Sequence, residues 1–220
     1  MTVHAFVDEA RRNDTYYLAS AVVDPRHPTA LRRRLRGLLL PGRRGLHFKH
    51  EKPERRRAIL SVLVGLDVRV DIYGAGCRRD EEGTRRACLT RLVGDSLDVE
   101  AGRLVLDSRS GRDEHDVHTT RMALGKHAED AGLTYEHFDS TGDPLLWPAD
   151  IAAWSHGAGG DWARRVEPII GPVIRLDFPR EARSTAADRP DGCRAHFLGL
   201  RAEADARSSE LRPRISITIG

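Results

Sequence analysis

The chain has 220 residues, with 36 Lys and Arg against 33 Asp and Glu, 40% hydrophobic and 31% charged, a balance that suits one folded domain with a polar surface. No segment approaches the roughly 20 apolar residues of a membrane span, and the N-terminal residues lack the basic-then-apolar order of a secretory leader, so a cytoplasmic protein is expected. The cysteines Cys77, Cys88 and Cys193 form an odd set with no C-x-x-C pair, so neither a disulfide framework nor a cysteine zinc site is suggested, and reduced thiols are expected.

Val3 to Val7 alternates toward Asp8, a polar turn follows over Arg11 to Thr15, and Tyr16 to Val23 is again rich in strand formers, so a β-hairpin is predicted. The spacing Leu31, Leu35, Leu38, Leu39 predicts a helix ended by Pro41-Gly42. Leu46 to Lys49 reads as a short strand, and Pro53 opens a helix carrying Ile59, Leu60, Leu63 and Leu66. Val68 to Tyr73 is a strand by period two, closed by Gly74-Ala75-Gly76. Cys88, Leu89, Leu92, Val93 and Leu97 then recur at helical spacing, with Arg85, Arg86 and Arg91 assigned to the other face. Leu104 to Ser108 is an apolar run ending in Asp107, a buried strand whose last residue emerges at the sheet edge. Further elements are a polar helix over Glu114 to Ala131, a strand over Leu133 to Asp139 and an apolar helix over Pro144 to Ala153. Beyond Phe178 the pattern thins, and only Arg214 to Ile219 alternates like a strand. One domain over 1–178 and a polar extension over 179–220 are therefore expected. A hairpin followed by alternating helices and strands predicts a mixed α/β sheet flanked by helices on both faces.

The chemistry is concentrated in acids set among apolar neighbours. Asp8 follows one apolar strand, Asp107 ends another, and Asp150 sits on a hydrophobic helix. Carboxylates gathered in such places repel one another unless a cation holds them, and Mg²⁺ or Mn²⁺, one ion or two, suits oxygen ligands. Taken singly, each acid has a plainer reading as a cap, a turn former or half of an ion pair. Glu9 ranks below Asp8 as a catalytic residue, because adjacent strand residues point to opposite faces. Asp139 and Asp143 are possible outer ligands or turn formers. His47-Phe48-Lys49-His50-Glu51 matches no zinc template. His137 is a weak candidate for acid–base work, His115 and His118 read as exposed helix residues, and Trp147, Trp154 and Trp162 read as core before base-stacking residues.

Basic residues cluster from Arg32 to Arg57, which suits either phosphate contact or a solvated surface. Within this setting His47, Lys49, Arg55 and Arg109 are the candidate substrate-binding residues.

The order of motifs resembles the mostly bacterial domain-of-unknown-function family 3800, regarded as RNase H-like. Phe6-Val7-Asp8-Glu9-Ala10 is similar to its F-x-D-E-[SA] opening, Leu46-His47-Phe48-Lys49 to its short x-H-x-K element, and Leu104 to Ser108 to its apolar strand ending in Asp. Asp139-Ser140 and Leu145 to Ala152 are similar to its D-S and L-Q-x-A-D-x-x-A segments, over about residues 3 to 175 in all. The chain departs from the pattern at Ala10-Arg11, where Ser-Gly is common, and at Trp147, where Gln is common. The resemblance implies an RNase H-like fold with Asp8 on the first strand, Asp107 on a later central strand and Asp150 on a helix packed against them. Two function classes follow. One is a Mg²⁺- or Mn²⁺-dependent nuclease, a phosphodiester hydrolase acting on RNA or DNA. The other is a non-catalytic module of the same fold that binds nucleic acid, a ribonucleoprotein or a partner protein. The acids favour the hydrolase.

Overall fold

The computed structural model describes residues 2–77, 80–109, 111–127 and 132–176, together with the backbone of 216–218. Two long strands, β1 (His4–Arg12) and β2 (Thr15–Val23), form the hairpin, joined at Asn13, which takes a φ of 54°. After α1 (Pro28–Arg36) and α2 (Pro53–Leu63) come β3 (Arg69–Gly76), α3 (Glu81–Asp98), β4 (Arg103–Asp107) and α4 (Asp113–Leu124). They are followed by β5 (Thr134–Phe138), α5 (Trp147–Ala158), α6 (Gly160–Val166), β6 (Ile170–Leu176) and the short β7 (Ser216–Thr218).

The strands form one sheet in the order β6-β3-β2-β1-β4-β5-β7. β1, β2 and β3 are mutually antiparallel, β4 and β5 run parallel to β1, β6 runs parallel to β3, and β7 is antiparallel to β5. This is a mixed α/β sheet with helices on both faces.

Side chains alternate along β1. Phe6 faces α1, α2 and α5, where Leu35, Ile59, Leu63, Ala149 and Ala153 close the first core. Ala5 and Val7 face α3 and α4, where Cys88, Leu89, Leu92 and Leu124 close the second. Complete burial of each large apolar side chain contributes about 1.5–3 kcal/mol, which explains why the register of β1 is fixed. Among the described residues no helix is long and apolar enough to cross a membrane.

Several elements depart from the sequence-based expectation. Leu46 to Lys49 is not a strand: Phe48–His50 forms a 3-10 turn. Leu46 and Phe48 are buried with His47 exposed between them, an alternation that imitates period two. Gly74 and Gly76 do not close β3 but lie within it, and a Cβ on Gly74 would touch the Tyr17 ring at 3.4 Å. The polar helix stops at Leu124, where Gly125 turns to a φ of 52°; residues 128–131 lie outside the described part. Neither α6 nor β6 was legible in the sequence. Cys77 and Cys88 are buried and free, while Cys193 lies outside the described residues.

Candidate metal centre

β1 and β4 pair through Phe6 with Val105 and Val7 with Leu106. One residue further, the same register sets Asp8 beside Asp107 on the first-core face. α5 lies across that face, its Ala149, Ile151, Ala152 and Ala153 buried, and it carries Asp150 to the same place. At the far end of α5, a Cβ on Gly157 would meet the Tyr17 ring at 3.0 Å, so helix and hairpin touch there without an intervening side chain.

The three acids are partly open to solvent yet crowded on most sides. Burial, then the charges of Asp150, Asp107 and Glu9, push Asp8 well above the usual carboxylate range against a 2.7 Å hydrogen bond from the Glu9 N–H. Asp107 is pushed up to about 7, chiefly by burial and then by Glu9, although the backbone N–H of Ser140 donates to it. Asp150 is pushed up to about 6 by burial, opposed by the backbone N–H of Phe48 and by nearby His47. Asp107 Oδ1 is buried and has no hydrogen-bond partner among the described residues. Hard oxygen donors that repel one another, one of them unpartnered, fit a hard divalent cation. Even so, among the described residues no group of three or more His, Cys, Asp or Glu side chains is already gathered around a common point tightly enough to hold an ion.

Glu9 takes the opposite face, as strand geometry requires, and the β1–β2 register runs unbroken through both residues. Its carboxylate meets Arg85 at 2.6 Å. Arg85, only 1% exposed, also grips Asp116 through Nε at 2.9 Å and Nη2 at 2.7 Å, and donates to the Tyr16 hydroxyl at 2.7 Å. Burial alone would raise Asp116, but its hydrogen bonds with Arg85 and His137 hold it well below the usual carboxylate range. Arg85 does not lie on an exposed helix face. It heads the buried stripe Arg85, Cys88, Leu89, Leu92, and that spacing is the signal in the sequence that could have revealed it.

The remaining candidates divide. His47 and Lys49 are exposed on the turn beside Asp150. Arg55 is occupied within the fold, donating to the carbonyl of Leu38 and pairing with Glu51 at 3.1 Å. Arg109 lies among the acids of the second face, 3.3 Å from Asp116 and 3.4 Å from Glu82. His137 also belongs to that face, bonded to the Tyr135 hydroxyl at 3.1 Å and away from Asp8, Asp107 and Asp150. Asp139 accepts from the N–H of Thr141 in a turn, and Asp143 pairs with Arg32 while capping the turn before α5. Trp147 is buried with its indole N–H on the Ser140 carbonyl, and Trp154 and Trp162 pack against the first core. His115 and His118 are exposed on α4.

No protein-family model and no curated protein matches the chain. Among solved structures, it is similar to a chain of "Structure of the PCNA:RNase HII complex from Archaeoglobus fulgidus", at 16% identity over 75% of both chains with a TM-score of 0.47.

Proposed function

We propose that this protein is a metal-dependent phosphodiesterase of nucleic acid, with Asp8, Asp107 and Asp150 as the cation-holding side chains. What supports this reading is that Asp8, Asp107 and Asp150, carried by separate elements, are each raised first by burial, Asp8 further by Asp150 and Asp107, and that one Asp107 oxygen is buried with no hydrogen-bond partner among the described residues. The motif resemblance to family 3800 supports the same assignment. Mg²⁺ or Mn²⁺, as one ion or a pair, supplies charge neutralisation and Lewis-acid activation of water and phosphate when bound.

The chain's own groups do the rest. Asp8 and Asp107, fixed on adjacent strands, set the spacing on the sheet side, and Asp150 closes it from the helix side. Exposed His47 and Lys49 on the adjoining turn are placed to meet a phosphate, and exposed Arg33, Arg34, Arg36, Arg43, Arg44 and Lys52 supply cationic surface for the backbone. Glu9 and Arg109, already paired behind the sheet, are supports and not contacts to substrate.

The test incubates the purified protein and Asp107→Asn with labelled RNA and DNA, in Mn²⁺ and in chelator. Cleavage by the parent protein alone, and only with Mn²⁺, is the expected result. Equal cleavage by both proteins rejects Asp107 as a ligand, and binding without cleavage under every condition leaves a nucleic-acid-binding module in place of the enzyme.

A further inference from the structure

Besides Arg32 and Arg55, which are held by Asp143 and by Leu38 and Glu51, the cationic segment contains a third arginine that is occupied within the fold. Arg56, in the first turn of α2, folds back so that its Nε donates to the Phe48 carbonyl at 3.1 Å and its Nη2 to the Lys49 carbonyl at 2.6 Å. Its guanidinium carbon lies 4.5 Å from the centre of the Trp154 ring, with Trp162 and Phe48 at 5.9 and 6.0 Å. The buried Phe48 ring meets Trp154 edge-on at 5.3 Å. Trp154 stands one helical turn beyond Asp150 on α5. The backbone N–H of Phe48, in the same 3-10 turn whose carbonyls Arg56 holds, donates to the Asp150 carboxylate. One guanidinium therefore joins α2, the Phe48–His50 turn and α5.

We infer that Arg56 is a positioning residue: it fixes the turn against α5, and the turn in turn aims Asp150 and presents His47 and Lys49. The inference rests on the metal-centre reading given above. A planar fork that satisfies two carbonyls while stacking on an indole is specific to arginine, whereas an ammonium is a point charge that offers neither the fork nor the flat face. Partners that orient a metal ligand from outside the coordination sphere typically govern affinity by 10–100-fold. The sign of the effect separates this role from simple electrostatics. Removing a positive charge on the metal-site side of the sheet would by itself favour a cation, so Arg56→Ala would bind Mn²⁺ more tightly if charge were all that mattered.

The experiment compares the full-length protein with Arg56→Ala, Arg56→Lys and Arg57→Ala by Mn²⁺ titration calorimetry well below the melting temperature. It also measures amide exchange of Phe48 relative to Val105 by NMR. The expected result is that Arg56→Ala weakens Mn²⁺ binding by about tenfold or more and speeds Phe48 exchange relative to Val105 by a similar factor. Arg56→Lys restores neither, and Arg57→Ala, which removes an exposed arginine stacked on Trp162 alone, changes neither. Unchanged or tighter Mn²⁺ binding with Phe48 still protected overturns the inference, as does full rescue by lysine. If Arg56→Ala does not fold, Arg56→Lys, which keeps the charge and the aliphatic stem, carries the same comparison. A parent protein that binds no Mn²⁺, but whose Phe48 protection is lost in Arg56→Ala, sinks the metal-centre reading and leaves the hold of Arg56 on the turn intact.

Discussion

Asp8 and Glu9 are neighbours in the chain and opposites in circumstance. Asp8 looks into a pocket of like charge, where burial and two further aspartates favour its neutral form. Glu9 looks toward a buried arginine 2.6 Å away that also serves Asp116 and Tyr16. Asp8 and its neighbouring aspartates are thus raised by burial and like charge, with His47 the nearby counter-charge acting on Asp150, whereas the network behind the sheet is compensated by Arg85. The difference teaches how each face bears on stability: a compensated buried pair is costly to break, while crowded carboxylates cost the fold something, and on the proposed function that cost is kept for a cation.

The largest effect expected on the acid side is on turnover. Asp8→Asn should lower cleavage by more than about a hundredfold without lowering the melting temperature in chelator, since a lost ligand exceeds the loss from an outer partner. If Glu9→Gln produced the same loss at unchanged stability, the two faces would be one site and the contrast would collapse. On the compensated side the effect is on folding. Arg85→Met should destabilise the protein by about 3–5 kcal/mol in urea unfolding, because Asp116 is left buried and charged. Adding Asp116→Leu should recover part of that loss; strict additivity would show that the two residues do not act as a pair.

A smaller effect follows from pH. Asp107 titrates near 7 in the folded chain against about 3.9 when unfolded, so its contribution is full below about pH 4 and is lost as pH rises through 7. In chelator, Asp107→Asn should therefore match the parent protein at pH 4 and exceed it at pH 8, by on the order of 2 kcal/mol after allowance for its partial exposure. Mn²⁺ should reverse the order at pH 8. Thermal melts at both pH values, with and without the ion, decide the matter, and an identical pH profile for the two proteins would show that Asp107 is not crowded. The smallest change is expected at Arg33, exposed on α1. Arg33→Gln should weaken nucleic-acid binding less than tenfold and reduce the salt dependence of log K by about one, read from binding isotherms at several salt concentrations.

Much of the architecture was legible because periodicity reports burial. The hairpin, the strand ending at Asp107 and the helix carrying Asp150 all follow from apolar spacing, and the opposition of Asp8 and Glu9 follows from strand geometry. The failures have physical causes as well. The segment entering the Phe48–His50 turn alternates like a strand because Leu46 and Phe48 both dock while His47 between them stays outside. Arg85 was placed in solvent by its residue type, although its helical position put it in the core; a guanidinium can be buried where acids and a phenol surround it. Arg56 looked like one more phosphate contact in a run of arginines, since composition carries no information about which carbonyls a side chain meets. β6, with Pro172, Val173 and Arg175 exposed, none of its residues fully buried and a proline within it, offers too little contrast to be read as a strand.

Gly157 gives the acid cluster a mechanical dimension. It sits about 10 Å along the axis from Asp150 at 1.5 Å per residue, and the absent methyl group lets that end of α5 rest on the Tyr17 ring. The helix then behaves as a lever whose fulcrum is a missing side chain. A Cβ at residue 157 would press on the Tyr17 ring at 3.0 Å and on the Arg12 side chain at 3.4 Å, so any larger residue there must lift this end of α5 from the hairpin by a few tenths of an ångström, two turns from Asp150 on the same helix.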